Sequence, residues 1–320
     1  MTYDEFLAEW LNEDPCVKVQ TSGSTGDPKP MLVEKRRMRA SARITCDFLG
    51  LKPGDTALLC MSLDYIAGKM MVVRALERDL QLISVPPSGH PLSAVSQEIT
   101  FAAMVPMQVF NSLQVPEERE RLRQIRHLII GGGAVSDQLA TELRDFPHHV
   151  WSTYGMTETL SHIALRPLNG PRASEWYTPF PSVSVSLNDA DCLVINAPEV
   201  CAETLVTNDI AELAPDGSRF RILGRRDNVI CSGGIKIQAE ELERRLAPFM
   251  RVPYLISSRP DEKFGEIVVL LTEGSIDEAR QVCESVLPKF HQPRAYQHVT
   301  RIPLTETGKP ARKQAKLLIQ

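Results

Sequence analysis

The run Thr21-Ser22-Gly23-Ser24-Thr25-Gly26-Asp27-Pro28-Lys29 gathers hydroxyls, glycines and one cation into nine residues. Glycine leaves the backbone bare, so successive N–H groups can turn toward a single anion. Thr21, Ser22, Ser24 and Thr25 add hydroxyl donors, and Lys29 adds positive charge. That chemistry is a grip on a polyphosphate, although the same composition also occurs in surface loops that hold nothing. No Gly-Lys-Ser/Thr closes the run, so it is not a Walker loop.

Four further blocks carry chemistry. Gly131-Gly132-Gly133-Ala134 follows an apolar run, and bare backbone there lets a flat ring approach closely; a plain strand-to-helix turn reads the same way. In Tyr154-Gly155-Met156-Thr157-Glu158 the ring of Tyr154 can stack on a base, Thr157 can meet a phosphate, and Glu158 can hold Mg²⁺ through oxygen. Asp209 can accept from two vicinal hydroxyls, as a ribose-binding carboxylate does, with Arg225 beside it. Lys309 follows Gly308 at the tip of an extended segment. Each of these is, taken singly, also compatible with a solvated surface residue.

The elements that must position them are legible from hydrophobic spacing. Phe6, Leu7, Trp10 and Leu11 predict a helix over 3–12, and a second helix over 34–49 ends at Gly50 with Pro53 beyond. A strand over 56–61, a helix over 66–77 and a strand over 80–85 form a strand–helix–strand unit, which argues for a parallel sheet. The theme returns with a strand over 126–130, a helix over 136–145 and a strand over 149–153. From residue 183 the texture turns to short β segments, until the charged pause Gly224-Arg225-Arg226-Asp227. Beyond it come a strand and tight turn over 229–234, a helix over 239–246, strands over 254–257 and 266–271, and a helix over 276–286. The tail after Pro288 reads as extended and proline-punctuated. The expected fold is α/β: a large N-terminal α/β domain over 1–223, shortened at its N-terminus and carrying a small β subdomain, then a small mobile α+β domain over 224–320.

Composition bounds the partners. With 320 residues, 43% hydrophobic, there is ample material for a core. Acidic residues outnumber basic ones 40 to 36, so no nucleic-acid partner is expected. No apolar run reaches membrane length and the first residues lack the cations of a signal peptide. Seven cysteines without a C-x-x-C pair read as reduced thiols in a cytoplasmic protein, with no zinc spacing.

Taken together and in this order, these blocks resemble the adenylate-forming superfamily of acyl-CoA synthetases, luciferases and adenylation domains. Thr207-Asn208-Asp209 resembles its Thr-Gly-Asp block, and 224–227 its Gly-Arg-x-Asp hinge. Ser232-Gly233-Gly234-Ile235-Lys236 is similar to the loop lining its thiol tunnel, and 288–309 to its terminal Thr-Gly-Lys pattern. The resemblance implies that Thr21, Ser22, Gly23, Ser24, Thr25, Gly26 and Lys29 hold the β- and γ-phosphates of ATP. It implies that Gly131, Gly132, Gly133, Ala134 and Tyr154 enclose adenine, and that Gly155 belongs to the same nucleotide site. Thr157 would meet the α-phosphate, Glu158 the Mg²⁺, and Asp209 and Arg225 the ribose. Asp227 would be the hinge, Lys309 would bridge acid and α-phosphate, and Gly233, Gly234 and Lys236 would line the path of coenzyme A. Tyr65, where many relatives have histidine, and Ser161-His162 would border the pocket for a small carboxylic acid. Asn208 departs from the family's glycine, and only twenty residues precede the phosphate loop, where relatives carry a long segment. That short form most resembles the compact o-succinylbenzoate–CoA ligases of menaquinone biosynthesis. A carrier-protein-loading adenylation enzyme and a non-catalytic nucleotide-binding protein are the alternatives, and a homodimer is left open.

Overall fold

The computed structural model describes residues 1–20, 30–305 and 309–319, so the phosphate-loop residues Thr21 to Lys29 lie outside the described residues. The chain divides into two compact units: Met1–Val185 with Ile195–Leu205 and Ala214–Phe220, and Ser186–Val194 with Val206–Leu213 and Arg221–Gln320.

In the first unit, α1 (Tyr3–Leu11) starts at a capping box in which Thr2 and Glu5 exchange side-chain and backbone hydrogen bonds. Strands β1 (Cys16–Gln20) and β2 (Pro30–Glu34) pair antiparallel. Helix α2 (Lys35–Leu49) stops at Gly50, whose φ of +69° supplies the left-handed cap. The parallel core follows as β3 (Thr56–Leu59), α3 (Ile66–Arg78), β4 (Gln81–Ser84), β5 (Phe101–Met104), α4 (Pro106–Gln114), α5 (Pro116–Gln124), β6 (His127–Ile130), α6 (Asp137–Leu143) and β7 (His149–Gly155). With β8 (His162–Pro167) and β9 (Thr178–Pro179) these strands form a seven-stranded sheet in the order β4-β3-β5-β6-β7-β8-β9, parallel up to β7 and antiparallel thereafter. Leu58, Ala102, Met104, Leu128, Ile130 and Val150 of the strands meet Val109, Leu113, Leu122, Leu139 and Leu143 of the helices in one buried cluster. Fully apolar strands such as β5 follow from a sheet covered on both faces.

Strands β10 (Ser184–Leu187), β11 (Cys192–Asn196), β12 (Leu205–Leu213) and β13 (Phe220–Arg225) form a four-stranded sheet in that order. The second unit then builds β14 (Val229–Ser232), β15 (Ile235–Gln238), α7 (Ala239–Leu246), β16 (Tyr254–Asp261), β17 (Gly265–Thr272), α8 (Ile276–Val286), β18 (Ala295–His298) and α9 (Arg312–Leu317). Strand β17 pairs antiparallel with β16 along one edge; β14 and the parallel β18 share its other edge. Its alternation sends Val268 and Leu270 toward α7 and α8, and Val269 and Leu271 toward Val299, Ile302 and Ala315 of the tail. The tail expected to be extended therefore contains a strand and a short helix. Ala315 is the one fully buried residue of α9, too little to print a helical stripe in the sequence. None of the helices among the described residues is long and apolar enough to cross a membrane.

Candidate functional site

In the first unit the candidate residues gather where the parallel strands end. Open α/β sheets bind ligands at the carboxyl ends of their strands, where the loops are free of the sheet ladder. Strand β6 runs out into Gly131, whose N–H donates to the Met104 carbonyl at 3.0 Å. A Cβ at Gly131 would stand 2.3 Å from Thr153 Oγ1 on the neighbouring strand, so a larger residue there would make the Thr153 hydroxyl turn away. Gly132 and Ala134 are exposed beside it.

Strand β7 ends at Tyr154-Gly155. The Tyr154 ring meets Phe220 edge-on at 5.1 Å and lies 5.9 Å from Tyr177, whose hydroxyl pairs with Ser152 Oγ at 2.9 Å. Gly155 lies so close to β8 that a Cβ would fall 2.2 Å from the Ser161 carbonyl oxygen. The chain then makes a single 3₁₀ turn over Thr157–Thr159, which leaves Glu158 exposed and buries Thr159. Thr159 Oγ1 accepts from the Met156 N–H at 3.0 Å, stitching the turn shut. Leu160 follows with a φ of +65°, a conformation a leucine holds only when its surroundings impose it. Glu158 is a lone hard-oxygen donor, and no group of three His, Cys, Asp or Glu side chains among the described residues could cage a metal. This donor set fits Mg²⁺, which keeps water and phosphate oxygens in its own shell.

Behind this turn sits a residue the sequence reading passed over. Arg74, on α3, is 2% exposed. Its Nη2 donates to Ser161 Oγ at 2.5 Å, Nη1 contacts only the Met71 sulfur at 3.8 Å, and Nε makes no hydrogen bond. No carboxylate pairs with it among the described residues, and burial pulls its pKa down to about 10. The signal in the sequence was a charge inside the apolar stretch Met70-Met71-Val72-Val73-Arg74-Ala75.

His162 packs beside it, on Phe180 at 5.6 Å. Arginine can only donate and the Thr45 hydroxyl donates to the Ser41 carbonyl, so the directions along the chain are set. Arg74 donates to Ser161 Oγ; Ser161 donates to His162 Nδ1 (3.2 Å); His162 Nε2–H donates to Thr45 Oγ1 (3.2 Å). Burial first, and the Arg74 charge second, hold the His162 pKa well below 6.5, so the imidazole is neutral. Both ring nitrogens are engaged inside the protein, which makes His162 a support for Ser161 and Arg74. Tyr65 is the N-cap of α3, half-buried, on the turn that leads to Gly68.

In the second unit, Arg225 at the end of β13 reaches Asp209 on β12 at 3.1 Å and Asp227 at 3.1 Å. Asn208 Nδ2 also approaches Asp227, at 3.4 Å, so the residue in place of glycine joins the cluster. Lys309 lies in the same cluster. Burial and then the repulsion of Arg225 lower its pKa from 10.5, while Asp209 pulls the other way. Thr305 and Lys309 exchange hydrogen bonds at 2.7 and 3.1 Å across residues 306–308. Gly224 is needed because a Cβ there would meet the Gln238 amide at 2.3 Å, and that amide donates to the Arg225 carbonyl. Gly233 and Gly234, with φ of +58° and +83°, make the two-residue turn between β14 and β15, and Lys236 is exposed just after it. Asp209, Arg225, Asp227 and Lys309 are thus brought together, Gly233, Gly234 and Lys236 sit on their own hairpin, and Tyr154 through His162 form a contiguous group in the first unit.

The family model described as AMP-binding enzyme matches residues 5–203. A 2-succinylbenzoate–CoA ligase of Listeria monocytogenes serotype 4b is 27% identical over 345 residues, covering 97% of this chain and 71% of that protein. Among solved structures, an acyl-CoA synthetase (AMP-forming)/AMP-acid ligase II-like protein from Dyadobacter fermentans is 33% identical with a TM-score of 0.66, covering 99% of this chain and 93% of its own. The o-succinylbenzoate coenzyme A synthetase MenE of Bacillus subtilis, solved with ATP and magnesium ion, has the same fold: TM-score 0.77 at 23% identity, over 93% of this chain and 69% of that one.

Proposed function

Because the chain belongs to the AMP-binding enzyme family, the adenylate-forming acid–CoA ligases, we propose that it joins ATP to o-succinylbenzoate and passes the acyl group to coenzyme A. The observation that carries the choice of acid is Arg74. A guanidinium removed from water without a counter-ion is costly, and the cost is relieved when an anion enters. An acid with one carboxylate to activate and a second to be recognised suits that site, and o-succinylbenzoate has two. The names of the curated relatives point the same way.

A carboxylate is a poor acyl donor, because attack on it must expel oxide. In the first step one carboxylate oxygen of the acid attacks the α-phosphorus of ATP, and the bond to the β-phosphate oxygen breaks as pyrophosphate leaves. Thr157 and the Lys309 ammonium would stabilise charge on the α-phosphoryl oxygens, Asp209 with Arg225 would hold ribose, and the bare backbone at Gly131–Gly133 with Tyr154 would enclose adenine. Residues 21–29 would grip the outer phosphates. When bound on Glu158, Mg²⁺ supplies positive charge to the phosphates. In the second step the thiol sulfur attacks the acyl carbon, its proton is released, and the bond to AMP breaks. Gly233, Gly234 and Lys236 would line the thiol's path, and Asp227 is the proposed pivot between a domain over 1–223 and one over 224–320.

Purified protein given ATP, Mg²⁺ and a panel of acids should release pyrophosphate with o-succinylbenzoate, and form a thioester once CoA is added. Silence with every acid would sink the reading. Pyrophosphate release without CoA transfer, but with transfer to a phosphopantetheinyl carrier, would redirect it to carrier loading.

A further inference from the structure

Lys309 is presented on a turn, and a turn positions its tip only as firmly as its base is held. The base of this one is held twice by backbone: Leu304 bridges Pro310, and the Ala311 N–H donates to the Pro303 carbonyl at 2.8 Å. Pro310, with its locked φ, and Ala311 alone separate Lys309 from Arg312. Arg312 is two-pronged. Its Nη2 donates to Glu243 Oε2 at 2.5 Å and its Nη1 to the Ile256 carbonyl at 3.0 Å. Glu243 completes the clasp, its Oε1 accepting from the Ile256 N–H at 2.8 Å, so the pair grips both polar groups of one residue in β16.

The clasp also reaches the opposite side of the cluster. Arg312 lies 3.9 Å from Glu240, whose carboxylate accepts from Asn228 and from Gln238, and Gln238 donates to the Arg225 carbonyl. Arg225 repels the Lys309 ammonium and pairs with Asp209. One polar network therefore links the segment that carries Lys309 to Arg225.

We propose that Arg312 is a positioning residue for Lys309: its hold on Glu243 and Ile256 fixes the turn that presents the amine to the α-phosphate. The proposal rests on the reading of Lys309 given above. It separates the two half-reactions, because a supplied acyl-adenylate has already passed the step at phosphorus.

The test compares wild type with Arg312→Ala, Arg312→Lys and Glu243→Gln. Three readouts are taken: pyrophosphate release with o-succinylbenzoate, thioester formation from supplied acyl-adenylate and CoA, and the rate at which an amine-acylating reagent labels Lys309 in the substrate-free protein, read by mass spectrometry. Arg312→Ala should lower kcat for pyrophosphate release about 100-fold with the KM for ATP little changed, the size expected when a reacting group is misplaced by about an ångström. Thioester formation should stay near wild type, labelling of Lys309 should accelerate, and Arg312→Lys should recover part of both changes. If Arg312→Ala does not fold, Arg312→Lys and Glu243→Gln carry the comparison. Unchanged labelling, or equal loss in both half-reactions, overturns the inference. Accelerated labelling in a protein whose wild type releases no pyrophosphate upholds the hold on Lys309 and overturns the proposed activity instead.

Discussion

Two groups of cations differ in who supplies the counter-charge. In the second unit Arg225 has Asp209 and Asp227, and Arg312 has Glu243 and Glu240, all within the protein. In the first unit Arg74 has a serine hydroxyl, a thioether and a neutral histidine. A paired cation is a structural fixture, and removing it strands an acid. An unpaired one destabilises the protein until something anionic arrives, which is why Arg74 carries the proposed choice of acid.

Lys309→Ala should give the largest effect. Losing one preorganised donor to developing charge is worth about 3–4 kcal/mol, roughly 10²- to 10³-fold in the adenylation rate. Transfer from a supplied acyl-adenylate should remain, and equal loss in both steps would remove Lys309 from the first.

Next, the contrast predicts opposite signs for two chemically equal substitutions. Arg312→Met strands Glu243 and should destabilise by about 2–3 kcal/mol, less than a fully sealed pair because both side chains keep some exposure. Arg74→Met removes an uncompensated charge from a site of similar volume and should raise stability by roughly 1 kcal/mol or more in denaturant titrations. If Arg74→Met destabilises instead, the guanidinium is a structural fixture like Arg312 and the comparison fails.

The same Arg74→Met variant sharpens the substrate reading. A hydrogen-bonded charge contact is worth about 1.5–3 kcal/mol, so the KM for o-succinylbenzoate should rise by roughly 10- to 100-fold. The KM for a monocarboxylic analogue should hardly move. Equal effects on both acids would place Arg74 away from the second carboxylate.

How much of this could be read in advance follows the same division. Helix α2 and strands β3, β6 and β7 were legible because each carries a periodic or continuous apolar run with glycine or proline close to a boundary, and helix α3 because its apolar run falls between two apolar strands. Strand β5 and helices α4 and α5, over 101–124, lie outside the elements read from hydrophobic spacing, although Pro106 and Pro116 stand at the first turns of those helices. Asp209 with Arg225 was legible because opposite charges on neighbouring strands have an obvious use for one another. Arg74 was not: its meaning depends on the absence of a partner, which only packing reveals. Arg312 was hidden for the converse reason, since its partner Glu243 lies 69 residues away in sequence.

The smallest effect is a pH dependence that reads the charge on Arg74 through its neighbour. His162 has a folded pKa well below 6.5, from burial and then Arg74, and His127 is lowered to about 4, by burial and then by the stacked His149. Each takes up its proton in the unfolded chain near pH 6.5 but resists it when folded. Below pH 6.5 the unfolded state therefore binds more protons, and stability falls as the solution is acidified. For His127 the loss is complete near pH 4; for His162 it continues below the point where an unburied imidazole would have finished. Arg74→Met removes the second cause of the His162 shift, so its folded pKa climbs toward 6.5 and the acid loss becomes smaller. His127→Phe, which keeps an aromatic ring against His149, should reduce the slope between pH 6.5 and 4 without altering the Arg74→Met difference. Urea titrations of the three proteins from pH 7.5 to 4 measure this. If Arg74→Met left the slope unchanged, burial alone would account for the neutral His162, and the uncompensated charge would have no reach beyond its own side chain.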